Sequence, residues 1–329
     1  MSVDTISEGP LVAVERPTWR GAGYSLGDLF KVINKNKFYY LMALPGLLYF
    51  LIFHYLPMFG IIVAFKDITP FSGLDGILHE PFVGFIHFKH WIQSYYFTNV
   101  MGNTLVISGL KLLFGFPTPI ILALLINEVR NTKFKRTVQT ISYMPHFLSA
   151  VVVSGLVMNL LSSQGGLVNQ VVVGLGGTSH AYLTDPRYFR AILVSSHVWQ
   201  HIGWGTILYL AAMSGIDPQL YEAAMIDGAN KLQQIRHITL PGITFVIVIL
   251  LIFAIGGLLN AGFEQILLLY SPPVYSVSDI IDTYVYRSGL LGMQYSFATA
   301  VGVFKSILAM TLLLGANWIA RRLGQTGIW

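Results

Sequence analysis

Apolar residues in this chain gather into long uninterrupted runs, with neither the alternation of a half-buried strand nor the one-sided stripe of a surface helix. Six such segments stand out: residues 38–65, 103–126, 138–161, 189–212, 240–270 and 296–320. A helix needs roughly 20 apolar residues to cross a hydrocarbon layer of about 30 Å, and each run is long enough. Lipid offers the backbone no hydrogen-bond partner, so each run is expected to be helical. Several exceed the minimum and should tilt. Pro45, Pro57, Pro117, Pro119 and Pro145 predict kinks or helix starts. The pattern therefore predicts an all-α membrane protein with six transmembrane helices.

Composition agrees. Hydrophobic residues make up 54% of the 329 and charged residues 11%, with a mean hydropathy of +0.63; soluble domains carry about 25% charged residues. There are no cysteines, which removes disulfides and thiolate metal sites. The net charge of +5 is scattered in short clusters between the apolar runs, so it forms no nucleic-acid patch. Those clusters orient the chain. Lys31, Lys35 and Lys37 precede the first run. Arg130, Lys133, Lys135 and Arg136 follow the second, Lys231 and Arg236 the fourth, and Arg321 and Arg322 the last. The opposite loops hold the sparser Lys66, Lys89, Arg187 and Arg287. Both termini are thus expected on the cytoplasmic side of a bacterial inner membrane. The first run is too long for a cleaved signal and reads as a retained span. The expected layout is a cytoplasmic segment 1–37 with an amphipathic interfacial stretch at 24–37, a six-helix domain 38–322, and a cytoplasmic tail 323–329. Aromatic-rich residues 81–97 predict an interfacial helix or hairpin in the first outer loop.

The loop between runs four and five, within residues 213–241, carries the most specific pattern. It reads Glu222-Ala223-Ala224, three residues, Gly228, nine residues, Ile238, one residue, Leu240-Pro241. Small alanines permit close helix approach, Gly228 permits a sharp turn between two short helices, and Pro241 can open the next span where a lost N–H is harmless. Glu222 and Asp227 offer polar contacts to a partner. The spacing resembles the cytoplasmic EAA loop of ABC importer permeases. Further stretches, GLLYFLIFHYLPMFGIIVAFKD, NEVRNTKFKRTVQTISYMPHF, MSGIDPQLYEAAMIDGA, LNAGFEQILLLY and IIDTYVYRSGL, resemble the LplB-like branch of the carbohydrate-uptake (maltose-type) permeases. That branch includes permeases for alginate and rhamnogalacturonan oligosaccharides.

The resemblance implies a type I ABC importer permease fold, alternating access, a second homologous permease subunit forming a heterodimer, two ATPase subunits, and an extracytoplasmic solute-binding protein that delivers an oligosaccharide. It implies that Glu222, Ala223, Ala224, Asp227 and Gly228 couple to the ATPase. ATP and Mg would belong to that partner. This chain has no phosphate-cradling G-x-x-x-x-G-K-[ST] sequence, and no catalytic residue or bound cofactor is expected of it.

Polar groups inside spans are costly and mark candidate sites. Asn260, Glu264 and Gln265 in run five match the part of the family pattern that lines the sugar cavity in maltose-type relatives, and Asn260 and Glu264 would share a helical face. Lys305 in run six and Lys111 in run two either face that cavity, where they would favour an acidic sugar, or pair with Glu264, or snorkel to the interface. Trp199 and Tyr209 either lend aromatic faces to the pathway or pack. His197 and His201 have zinc-pair spacing, but Val198 replaces the glutamate of H-E-x-x-H, so hydrogen bonding between helices is the plainer reading. His87 and His90 read as surface histidines, and no metal site is expected. Tyr295 and Phe297 read as an outer gate or an aromatic belt. A different class, an ion-driven secondary transporter, would bring internal repeats with interrupted helices; no repeat is visible, and the EAA-like loop would have no purpose in it.

Overall fold

The computed structural model describes residues 34–69, 71–73, 75–324 and 327–328. Lys31 and most of the amphipathic stretch 24–37 lie outside the described residues. Regular structure within them is helical, apart from an isolated antiparallel bridge between Lys66 and Phe82. The chain divides into two units, Met1–Phe59 and Gly60–Trp329.

In the first unit, α1 spans Lys37–Phe50 and passes into a π-turn at Leu51–Tyr55. After Lys37 its side chains are predominantly apolar on every face. Pro45 lies inside it.

In the second unit, α2 (Phe97–Gly115) and α3 (Pro117–Glu128) form one 32-residue run, with the hydrogen-bond ladder interrupted at Pro117. Next come α4 (Thr132–Tyr143), α5 (Ala150–Leu161) and the 29-residue α6 (Pro186–Ser214). After α6 follow α7 (Pro218–Ile226), α8 (Lys231–Gln234) and α9 (Leu240–Gly256). Two short helices, α10 (Phe263–Leu269) and α11 (Ile281–Val285), precede the 28-residue α12 (Tyr295–Arg322).

Four helical runs are long and apolar enough to cross a membrane: Lys37–Phe65, Phe97–Glu128, Lys231–Gly256 and Tyr295–Arg322. Counting the bent pair α4–α5 makes five. Six crossings were expected, and the shortfall has physical causes. Residues 138–161 are not a straight span. Pro145 denies the helix an N–H, Ser149 caps a fresh helix by accepting from Val152 N, and the two halves meet at 101°. Helix α6 has the length, but Arg187, Arg190, His197, Gln200 and His201 keep it out of the apolar group.

Run 240–270 is also not one helix. It stops at Gly256, and residues 257–262 are non-helical before α10 begins. Nor does Pro241 open a span. The helix begins at Lys231 and runs through a π-turn at Ile235–Thr239, which absorbs the N–H that Pro241 lacks. The aromatic segment 81–97 does form a helix, Ile86–Gln93, whose Trp91 is fully buried against Val100, Ile281 and Val301.

The main core joins α2, α6 and α10 through Ile107, Phe189, Leu193, Ile266 and Leu269. A second cluster, Ala123, Tyr209, Met213 and Ile243, joins α3, α6 and α9. Helix α6 crosses the end of α4 at Gly203, where a Cβ would overlap the Ser142 carbonyl. The break at 257–262 lies against α2 and α12, bonded by Lys111 at Ala261 O and by Lys305 at Asn260.

Candidate functional site

Two places carry the candidate chemistry. The first is the α7–α8 turn, whose geometry is built almost entirely from neighbours in sequence. Asp217 caps α7 by accepting from Gln219 N (2.9 Å), with Pro218 in the first turn. The helix ends in a Schellman turn: Ala229 N donates to Ala224 O (2.9 Å) and Gly228 N to Met225 O (3.1 Å). Gly228 sits at φ +77°, a left-handed conformation that residues with a Cβ rarely adopt. Asn230 and Gln233 then form a reciprocal capping box on α8. Tyr221 Oη bonds Thr239 Oγ1 (2.9 Å) and ties α7 to the base of α9. Glu222, Ala223, Asp227 and Gly228 are exposed and Ala224 is half-exposed. Sequence reasoning did not single out the apolar residues beside them: Leu220, Met225, Ile226 and Leu232 are exposed by 53, 56, 87 and 74%. A charged and apolar surface held by rigid caps can dock a partner's cleft.

The second place is the break. Helix α9 runs out at two glycines. Gly257 N and Leu258 N turn back onto Phe253 O and Ile255 O, and Asn260 N closes a turn on Gly257 O (2.9 Å). Gly262, at φ +92°, starts α10, and a Cβ there would meet the Lys111 ammonium. Lys111 is 7% exposed and donates to Ala261 O and Gln265 Oε1, both at 2.8 Å. Gln265 donates onward to Ser196 Oγ (2.8 Å) and Leu193 O (3.3 Å) on α6. Gln265 is therefore a three-way bolt between α2, α10 and α6. Among the described residues, Lys111 bonds no carboxylate.

Lys305 ion-pairs with both oxygens of Asp282 (2.6 and 2.8 Å) and donates to Asn260 Oδ1 (2.9 Å). These three residues, with Phe263, Tyr286 and Tyr295, line a cavity of about 620 Å³. Ligand pockets typically enclose about 300–1,000 Å³ and combine apolar walls with a few fixed polar groups. An amide, a carboxylate and three aromatic rings suit hydroxyl groups and pyranose faces.

The structure thus brings Asn260 and Lys305 together and adds Asp282, Phe263 and Tyr286, which sequence reasoning missed. It does not bring the other candidates to them. Asn260 and Glu264 share no helical face, because the helix is broken between them. Glu264 is exposed and pairs with neither Lys111 nor Lys305. Gln265 bolts helices together. Tyr209 is 3% exposed in the α3–α6–α9 cluster, and Trp199 lies on α6, 47% exposed, away from this cavity. His201 Nδ1 bonds His197 O of its own helix (3.0 Å), and the two rings stack at 4.4 Å, so the expected bonding between helices is made instead by Gln200 to Leu148 O (3.0 Å). Tyr295 lines the cavity, whereas Phe297 packs on Trp91. No cluster of three metal-ligating side chains occurs among the described residues.

The helical domain thus carries an exposed, locally capped turn and a polar cavity at an interrupted helix. The chain belongs to the family of binding-protein-dependent transport system inner membrane components, which matches residues 115–326. It is 47% identical over 301 residues to the polygalacturonan/rhamnogalacturonan transport system permease protein YteP of Bacillus subtilis, with 92% of each chain covered. It is 44% identical over 297 residues to protein LplB of the same organism, covering 90% of this chain and 92% of that one. A bacterial ABC transporter for import of the acidic polysaccharide alginate contains a chain with 45% identity and a TM-score of 0.83, covering 89% and 98%. A chain of a bacterial alginate ABC transporter in complex with an alginate pentasaccharide-bound periplasmic protein superimposes with a TM-score of 0.84. The chain is accordingly a permease of an ABC importer.

Proposed function

We propose that this permease forms half of the membrane pathway for an acidic oligosaccharide. A solute-binding protein hands the sugar over, and separate ATPase subunits drive its passage. Six crossings serve that pathway, with α4–α5 as a bent crossing and α6 as a polar one. Both termini then face the cytoplasm with the α7–α8 turn. The observation that carries the coupling role is the turn itself: Glu222 to Gly228, largely exposed, locally capped and containing bare Met225 and Ile226. It gives an ATPase subunit a rigid ridge to grip. ATP can bias the pathway only by favouring one of its states, so the ridge must move with the pathway wall.

Asn260, Asp282 and Lys305 are the sugar-facing polar groups in this reading, with Phe263, Tyr286 and Tyr295 supplying ring faces. The acidic preference is supported by the alginate and galacturonan relatives. Affinity purification of the tagged chain tests the assembly. Recovery of a second permease and an ATPase is expected, and a chain recovered alone would sink the proposal. Uptake of oligogalacturonate or oligoalginate against a neutral maltooligosaccharide tests the substrate class, and preference for the neutral sugar would overturn the acidic reading.

A further inference from the structure

A cavity of about 1030 Å³ lies on the opposite side of the short helical segment 281–291 from the Asn260–Lys305 site. Residues Tyr284, Arg287 and Ser288 face it, whereas Asp282, Val285, Tyr286 and Gly289 face the other cavity. One thin wall therefore separates two chambers, and the larger is not used by the function proposed above.

Its mouth is polar. Arg190 donates from Nε to Val277 O (3.0 Å) and from Nη2 to Asn103 Oδ1 (2.7 Å). Asn103 is 2% exposed and is itself held by the carbonyls of Ser276 and Asp279 (3.2 and 3.1 Å). The guanidinium is therefore fixed in place, yet both of its acceptors are neutral and its Nη1 edge is uncommitted. Arg287 is neutralised by Asp279 (3.0 and 2.6 Å) and lies over the Tyr275 ring at 4.8 Å. Of the charged residues lining the cavity, Arg190, Arg287 and Asp279, the first keeps an unbalanced positive charge.

Beyond the arginines the lining is mixed, with tyrosine rings and Val106 beside Asn99 and Ser276. The cavity follows one face of α2 from Tyr96, the residue before the helix, through Asn99 and Gly102 to Val106. That distance is ten residues, about 15 Å along the helix axis. Tyr95 and Tyr96 mark the membrane interface, where tyrosines concentrate, so Val106 lies at hydrocarbon depth. An amphiphile with a compact oxyanion and an acyl chain matches both ends.

We propose that this cavity binds an anionic phospholipid of the leaflet in which α2 begins. Arg190 grips the phosphate through its open edge, the tyrosines flank the headgroup, and an acyl chain lies along Gly102 and Val106. Arginine forks suit phosphate oxygens, and a charge at the edge of a low-dielectric layer is worth more than one in water.

The test uses the full chain, with the subunits that co-purify, in mild detergent. Phosphatidylglycerol or phosphatidylcholine is added, and bound lipid and thermal unfolding are measured. Wild type should retain phosphatidylglycerol and gain melting temperature over the phosphatidylcholine sample. Arg190→Gln should retain about tenfold less or lower still, the scale of one charge-assisted hydrogen-bonded contact. Should Arg190→Gln destabilise the fold in both lipids, Val106→Trp decides, because it fills the exposed floor and leaves Arg190 intact; it should cut retention similarly. Equal response to the two lipids overturns the proposal, as does full retention by Val106→Trp. The same stabilisation by inorganic phosphate or galacturonate without lipid would assign the site to a soluble anion and overturn the lipid reading.

Discussion

The α7–α8 turn and the break at 257–262 lie at opposite ends of α9 and are built by opposite means. In the turn, each cap joins residues five or fewer apart: Asp217 to Gln219, Asn230 to Gln233, Ala224 to Ala229. At the break, the holding bonds reach across the chain, from Lys111 to Gln265, Gln265 to Ser196 and Asn260 to Lys305. A locally built feature can be exposed and still rigid, so it is free to meet a partner. A feature built from distant segments is tied to the fold and reports on how the helices sit. The difference predicts separate modes of failure.

Gly228→Val tests the turn. A β-branched residue in the left-handed region costs roughly 1–2 kcal/mol and disrupts the Schellman turn. Uptake should fall to background, while membrane insertion and the melting temperature of the purified chain stay near wild type, because exposed elements open locally. Unimpaired uptake would remove the docking role. Gln265→Leu tests the break. It strips Lys111 of an acceptor in a buried setting, at a cost of about 2–3 kcal/mol. Here the melting temperature should drop clearly. Similar thermal losses in the two variants would erase the contrast.

Asp282→Asn is subtler. It frees Lys305 from its counter-ion without changing shape. Competition uptake should shift toward acidic over neutral oligosaccharides by about two- to fivefold, the range of one partly exposed ion pair. An unchanged preference would place the substrate away from Lys305.

The smallest effect concerns the loop before α6. Asp185 accepts from His180 Nε2 (2.9 Å) and from Arg187 Nε (3.2 Å) and backbone N. The His180 bond, followed by those of Arg187, holds its carboxyl well below the usual range, at about 2. A depressed pKa stabilises the folded loop above the ordinary carboxylate value of about 3.9, and this is lost as pH falls through 2. Hydrogen exchange of residues 179–187 should be steady from neutral pH to about 4, then quicken toward pH 2 beyond the intrinsic trend. His180→Gln should bring the onset to higher pH. Onset well above pH 4 in the wild type would show that Asp185 does not set the transition.

The same contrast explains what could be read from sequence. Apolar runs and their prolines marked most helices, because burial in lipid needs no partner to be specified. Glu222 to Gly228 was legible because its constraints are local. Asp282 was not, since nothing in IIDTYVYRSGL says that Lys305, 23 residues on, would reach it. The interruption of run 240–270 was legible in part. Gly256-Gly257 and Gly262 are helix breakers, but a 31-residue apolar stretch outweighed them. Interrupted helices were expected of a secondary transporter, yet this ABC permease has one. Irregular backbone at membrane depth is tolerated where protein or a cavity satisfies it, and here Lys111 bonds Ala261 O and Lys305 bonds Asn260.

The π-turn at Ile235–Thr239 makes Lys231 to Gly256 a single 26-residue helix. It is about 39 Å long, so a tilt of about 10° about one end displaces the other by roughly 7 Å. In the coupling proposed above, the α7–α8 turn is the handle of a lever whose far tip is the glycine pair beside Asn260. A spin-label pair at Leu232 and Phe253 should keep a constant separation in all transport states, while distances from each label to α12 change. A separation that varies would mean that the lever bends.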